Sequence, residues 1–297
     1  NTFFLGSPDL EDIQVETQHQ SMSVDDFAVA FGVMVANAKD LPVAFAQPAT
    51  PPEIPMGYTP VWDAQRGALS TFFISPLDPA TGWPMDWNVA SHRHTDMDER
   101  KLKASEDAMR TLFATGKKAL VGVALHVSSL NNQQSLSRLM AVISKFDPTL
   151  ARYRVIRVSC VEPGYPRIYL EDILRVLKPH IPHVAIGLNW AEPDVASVLK
   201  LQPAAIGFSL AAGALGSPGP RTDAYARIHA SIEQSHHHGV SVGVEGDIQP
   251  AHARRFTQDG VNHICSPRIW PIRRTLPAAE LWPAARLDAE AITETAA

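Results

Sequence analysis

Glu245 stands at the end of an apolar stretch, in the run V-S-V-G-V-E-G-D-I-Q-P over residues 240–250. A run of this kind that is ended by Gly and Pro is typical of a buried strand. The C-terminal end of a barrel strand is where barrel enzymes carry their catalytic residues. Glu245 is therefore the first candidate for chemistry. The alternative is a structural role, in which Glu245 bonds to the backbone or pairs with Arg157.

Cysteine and histidine side chains are the next candidates. Cys160, Cys265 and His126 all fall near the ends of apolar runs. They could form a thiolate metal site, but a free cysteine is more commonly a small buried hydrophobe. His92 and His94 form an H-x-H pair that follows a polar stretch, so we expect a solvated loop there rather than a metal site.

The composition excludes several classes of protein. The 297 residues carry a formal net charge of -5, which leaves no basic surface for nucleic acid. Two cysteines give no disulfide framework and favour a reducing compartment, so we expect a cytoplasmic location. Because the chain begins with Asn1, we expect it to be a processed or excised piece, such as the cytoplasmic part of a longer protein.

Apolar runs alternate with helical patterns over most of the chain, which predicts an α/β barrel, with a doubly wound sheet as the alternative. The predicted strands cover residues 58–63, 68–75, 119–128, 153–160, 182–189, 204–210, 240–245 and 262–265. The predicted helices cover residues 97–115, 134–145, 169–178, 193–201, 222–237 and 250–258. The first two strands are joined by A-Q-R-G, a hairpin connection, so one early strand is expected to be antiparallel.

The sequence also predicts how the chain is divided. Residues 1–56 form an N-terminal extension, with a loose polar start at 1–23, a helix over 24–38 and a Pro-rich linker. Residues 57–272 form the barrel, and residues 273–297 form an Ala-rich C-terminal tail.

The order of segments in this barrel resembles an EAL domain, the barrel that hydrolyses the bacterial second messenger cyclic di-GMP. The resemblance rests on the local pattern of five segments, at residues 57–69, 123–130, 152–160, 184–209 and 240–271. The last segment is the most specific, because Glu245-Gly246 falls on the E-G of its family motif. The resemblance implies an EAL-type TIM-like barrel with one antiparallel strand, preceded here by a short helical segment.

The resemblance also implies a site in which carboxylates at strand ends hold two divalent metals. Here Phe73 stands at the position of the Glu in the E-A-L motif, and His126 at that of the Asn ligand. Arg157 and Cys160 replace two further Glu residues, and Glu245 alone is retained. The chain therefore resembles a degenerate EAL domain without phosphodiesterase activity, and we expect no metal and no cofactor.

Three functions remain open on the sequence alone. The first is a non-catalytic regulatory or scaffolding protein in cyclic di-GMP signalling, with an unidentified protein partner or a second copy of the chain. The second is a cyclic di-GMP receptor that binds without hydrolysis. The third is a barrel enzyme of different chemistry that uses Glu245. The candidate ligand-binding residues are Phe73, His126, Arg157, Trp190 and Glu245, and the large side chains among them predict a partly filled pocket.

Overall fold

Eight strands close into a barrel in the computed structural model of the chain, which describes residues 14–17, 20–23, 54–85, 94–210, 214–215 and 218–287. Only the backbone is described for 14–17, 20–23 and 218–223. The strands are β1 (Gln14–Thr17), β2 (Gln20–Ser23), β3 (Met56–Asp63), β4 (Ala68–Pro76), β5 (Leu120–His126), β6 (Arg154–Val161), β7 (His183–Leu188), β8 (Ala205–Leu210), β9 (Ser241–Gly246), β10 (His263–Cys265) and β11 (Glu280–Leu281). The helices are α1 (His94–Ala114), α2 (Val127–Asn131), α3 (Gln133–Ile143), α4 (Arg167–Leu177), α5 (Val195–Leu199), α6 (Pro218–His237) and α7 (Pro250–Gln258).

The barrel is formed by β3 to β10, with β4 pairing with β5 to close the circle. Strand β3 runs antiparallel to both of its neighbours, β4 and β10, and the other barrel pairings are parallel. The predicted α/β barrel with one early antiparallel strand is therefore confirmed. The predicted strand 119–128 is too long, because the chain turns into α2 directly after His126.

Side chains along the parallel strands point alternately to the outside and the inside of the barrel, and most of the large apolar ones point outward. In β7, Val184, Ile186 and Leu188 are buried in the hydrophobic core, whereas Ala185 and Gly187 face the barrel interior. The same holds in β8, where Ile206 and Phe208 are fully buried. The hydrophobic core thus lies mainly outside the strand circle, and the interior is left to small side chains.

The N-terminal residues form a unit of their own. The chain divides into two compact units, Asn1–Glu53 and Ile54–Ala297. In the first unit, β1 and β2 form an antiparallel hairpin in which Val15 is paired with Met22. The expectation of a loose segment over 1–23 was therefore wrong for these two strands, which are too short to give a clear periodic pattern. The predicted helix 24–38 lies outside the described residues.

The segment after β10 returns to the barrel. The backbones of Arg273 and Tyr58 exchange two hydrogen bonds of 2.8 and 2.9 Å, and β11 pairs with β4. The indole N–H of Trp62 donates a hydrogen bond of 2.8 Å to the carbonyl oxygen of Trp282. These two rings pack with Trp270, at centroid distances between 5.1 and 6.0 Å.

The boundary at residue 272 between the barrel and the C-terminal tail remains a prediction. None of the described helices is both long and apolar enough to cross a membrane.

The tryptophan cluster gives a test of this packing. Because Trp282 is 7% exposed and its ring contacts two others, Trp282→Ala should lower the free energy of unfolding by about 3–5 kcal/mol. Its neighbour Leu281 is 79% exposed, so Leu281→Ala should stay within about 0.5 kcal/mol of the parent chain. Urea unfolding of the three proteins measures both values. Equal stability of the two variants would show that the tail does not pack as described.

Candidate functional site

Three of the predicted site residues meet inside the barrel. The guanidinium of Arg157 lies over the ring of Phe73, 5.0 Å from its centroid, and its Nη1 donates a hydrogen bond to Oε2 of Glu245. The hydroxyl of Ser209 donates to the other oxygen of Glu245. The Nε of Arg157 donates to the hydroxyl of Ser159 at 3.2 Å. We call this arrangement the Phe73–Arg157–Glu245 layer.

Glycines on neighbouring strands make room for this layer. A Cβ atom at Gly122 would lie only 2.7 Å from ring atoms of Phe73, so a side chain there would force the ring to move. A Cβ at Gly187 or Gly207 would lie 3.7 or 4.0 Å from Cδ of Arg157, which is ordinary contact. Gly122 therefore matters most, because its lack of a side chain leaves the space that the ring of Phe73 occupies.

The electrostatics of the layer require the ion pair. The side chains of Arg157 and Glu245 are only 18% and 24% exposed. Burial opposes the charge on Arg157, but the adjacent Glu245 outweighs it, so the pKa of Arg157 lies above its usual value. A charge this far from water is stable only with a hydrogen-bonded partner. Of the alternatives considered for Glu245, the pairing with Arg157 is the one observed.

The C-terminal end of the barrel opens above this layer into two cavities. One has a volume of about 520 Å³ and is bordered by His126, Arg157 and Trp190. The other, of about 650 Å³, is bordered by Trp83 and Arg268. Both also contact Arg157 and Glu245, so the layer is the floor of each. We call this end of the barrel the upper mouth, and it contains all five predicted ligand-binding residues.

His126 lies at one side of the upper mouth, away from the ion pair. It caps α2, its ring stacks on that of His94 at 3.9 Å and an interplanar angle of 3°, and its backbone N–H donates to Asp98 at 3.0 Å. Burial, followed by the nearby His94, lowers the pKa of His126. The expectation of a solvated loop was wrong for His94, because α1 begins there and brings the ring against the barrel. His92 lies outside the described residues.

A buried ion pair on α1 was missed by the sequence analysis. Lys101 and Asp98 are joined at 2.7 Å, with side chains 9% and 2% exposed, and Lys101 also donates to the carbonyl of Ala124. Both border the upper mouth. A signal was present, because these polar residues share the 3–4 residue spacing of the buried Met97, Leu102 and Ser105. Their spacing places them on the buried face of the helix.

The two cysteines do not form the metal site that was considered with His126. Cys265 lies beside Glu245 in the sheet, and burial raises the pKa of its thiol to about 12, so it stays protonated. Cys160 borders the upper mouth at a backbone φ of 62°. Both are half-buried rather than buried, since each faces space inside the barrel.

The donor set of the upper mouth does not fit a pair of divalent cations. Such cations need several free carboxylate or carbonyl oxygens. Both oxygens of Glu245 accept hydrogen bonds from Arg157 or Ser209, and Asp98 is paired with Lys101. Among the residues that the structure describes, no three His, Cys, Asp or Glu side chains are grouped so that they could hold a metal ion.

Solved structures share this architecture. No protein-family model and no curated protein sequence matches the chain. The Bacillus subtilis YkuI protein, with an EAL domain and in complex with substrate c-di-GMP and calcium, matches at a TM-score of 0.59 and 13% identity, over 82% of this chain and 61% of its own. The PaMucR phosphodiesterase, in a c-di-GMP complex, matches at 0.58 and 12%, over 88% and 99%. The EAL domain of Mycobacterium smegmatis DcpA matches at 0.55 and 12%, over 80% and 98%.

These matches define the class of fold. The chain has an EAL-type fold, as its sequence segments predicted, and it spans less than two thirds of the YkuI chain. At identities of 12–13% the likeness shows the fold and leaves the activity to be argued from the site.

A double-mutant cycle on Arg157 and Glu245 tests whether the two side chains interact as the structure shows. Arg157→Met keeps the aliphatic stem but leaves Glu245 without its main partner, so the free energy of unfolding should fall by about 1–3 kcal/mol. Glu245→Gln should cost a similar amount, and the double variant should cost clearly less than the sum of the two. Chemical denaturation of the four proteins measures the coupling. Strictly additive losses would mean that the two side chains do not interact.

Proposed function

We propose that this chain is a non-catalytic EAL-like protein, with a regulatory or scaffolding role in cyclic di-GMP-linked signalling, that acts through protein–protein interaction. The observation that carries the proposal is the Arg157–Glu245 ion pair. It commits the one carboxylate retained from the expected ligand set to a cation of the protein itself. A guanidinium at this position also repels a metal ion.

The surroundings of the pair support the same conclusion. Phe73 stands at the position where the EAL motif has a carboxylate, and Gly122 leaves space for its aromatic ring. The third function considered, an enzyme of other chemistry based on Glu245, has little support. A general base needs a carboxylate oxygen that can reach a substrate proton, and both oxygens of Glu245 already accept hydrogen bonds.

A receptor that binds cyclic di-GMP without hydrolysis is the second candidate. The upper mouth favours it, since cavities of about 520 and 650 Å³ remain open above the layer. Trp83 and Trp190 offer surfaces on which a base could stack, and Arg268, which lies 3.3 Å from the carboxylate of the half-exposed Asp247, offers a cation for a phosphate. Two of the three solved structures named above were determined with c-di-GMP bound.

Incubation with cyclic di-GMP separates these functions. With magnesium or manganese present, the proposal predicts no linear dinucleotide product above the buffer control, because Glu245 and Asp98 are already paired with cations of the protein. Product formation that disappears in Glu245→Gln would contradict the proposal.

Calorimetric titration of cyclic di-GMP into the same samples then tests whether the chain is a receptor that binds without hydrolysis. Micromolar binding that weakens at least tenfold in Arg157→Met would favour the receptor, and absence of heat at millimolar nucleotide would favour the scaffold.

The interaction role is tested by affinity purification from the native host. Helix α4 exposes two adjacent large side chains, Ile168 and Tyr169, at 56% and 46%, and together they offer an apolar patch to a partner. We expect a reproducible partner that is reduced several-fold with the Ile168→Lys/Tyr169→Lys variant and retained with Leu281→Lys. Sedimentation of the purified chain tells whether this partner is a second copy. No partner under any growth condition, together with a monomer in solution, would overturn the role.

A further inference from the structure

A third cavity lies inside the barrel, on the other side of the Phe73–Arg157–Glu245 layer from the upper mouth. Its volume is about 290 Å³, and we call it the lower cavity. Small or apolar residues surround most of it, among them Val61, Leu120, Val155, Ala185 and Ala205. The proposed function does not use this space, so a binding site there goes beyond that function.

The cavity exists because the inward side chains are too small to fill the barrel. The interior of such a barrel is normally packed with layers of bulky branched residues. Here the inward positions of three neighbouring strands carry Ala185 and Gly187 in β7, Ala205 and Gly207 in β8, and Gly243 in β9. Phe73 and Arg157 cover this space on the side of the upper mouth and do not fill it.

The lower cavity reaches the end of the barrel opposite the upper mouth. Leu120, His183 and Ser241 border it, and each is the first residue of its strand. His183 and Arg66, which also border it, are exposed to solvent. A molecule can therefore enter from the N-terminal ends of the parallel strands without crossing the layer.

The groups that face the lower cavity set the chemistry of its ligand. Arg157 is paired with Glu245, and Arg66 donates to Asp63 at 2.8 Å, so the charges around the cavity are already neutralised. The thiol of Cys265 stays protonated, and burial lowers the pKa of His263, which keeps that imidazole neutral near pH 7. A charged ligand would lose its hydration here without gaining a partner.

We propose that the lower cavity is a binding site for a small uncharged aromatic or heteroaromatic molecule of bicyclic size. The size follows from the volume, since an apolar cavity of about 150 Å³ suffices for benzene and this one is about twice as large. The apolar residues of β3, β5 and β6 contact the ring faces. Ser241 and His263, at the border of the same cavity, supply hydrogen-bonding groups for one polar edge of the ligand.

Titration of indole into the full chain, followed by the methyl NMR signals of Leu and Val, tests the site. We expect saturable shifts at Val61, Leu120 and Val155, which border the lower cavity. Ala205→Leu should weaken binding at least tenfold, because it fills the same space. The matched control is Ala124→Leu, which adds the same atoms on the side of the upper mouth and should leave the affinity within about twofold.

A second cavity-filling variant and a charged ligand provide further tests of the site. If Ala205→Leu fails to fold, Ser241→Leu fills the cavity from the next strand and should give the same loss. Indole-2-carboxylate, which carries a charge, should bind at least tenfold more weakly than indole. Absence of saturable shifts up to the solubility limit of indole would overturn the proposal. So would binding that survives both cavity-filling variants, or binding that only Ala124→Leu abolishes.

Discussion

The barrel interior is organised by one ion pair, between Arg157 and Glu245. A guanidinium inside a barrel must be neutralised, and Glu245, on another strand, meets it from across the interior. Phe73 then lies under the guanidinium, and Gly122 leaves the space that its ring needs. Removal of either charge would leave the other partly buried, which is more costly than the absence of both.

This layer turns one barrel into two separate compartments. The upper mouth has aromatic and basic side chains that could contact a nucleotide, but two of its carboxylates, Asp98 and Glu245, are paired with Lys101 and Arg157. The lower cavity keeps small apolar walls and faces the opposite end. Both compartments share Arg157 and Glu245 as a border, so an occupant of one lies against the side chains that the other uses.

Much of the fold could be predicted from the sequence, because buried parallel strands are nearly continuous apolar runs. The run H-V-A-I-G-L at 183–188 is one example, and the A-Q-R-G connection correctly predicted the antiparallel β3. Other elements could not be found in this way. Helix α2 and strand β11 have five and two residues, too few for any periodic pattern. The return of Trp282 to Trp62 joins residues 220 positions apart, which no local pattern reveals.

The candidate site was predictable in part for similar reasons. Arg157 and Glu245 both fall at predicted strand positions, so their pairing could be anticipated. The helical spacing of Asp98 and Lys101 matches that of the buried Met97, Leu102 and Ser105, but that spacing does not show that the two side chains pair with each other. The lower cavity was also not predictable, because it reflects the summed volume of inward side chains from the strands around the barrel and is not a property of any one segment.

The most direct test of the central claim is a crystal structure of this chain grown with cyclic di-GMP and calcium. The account predicts that Arg157 and Glu245 remain within hydrogen-bonding distance and that neither oxygen of Glu245 contacts calcium. A calcium ion bound to Glu245, with Arg157 turned away from it and a nucleotide phosphate on the metal, would contradict the account.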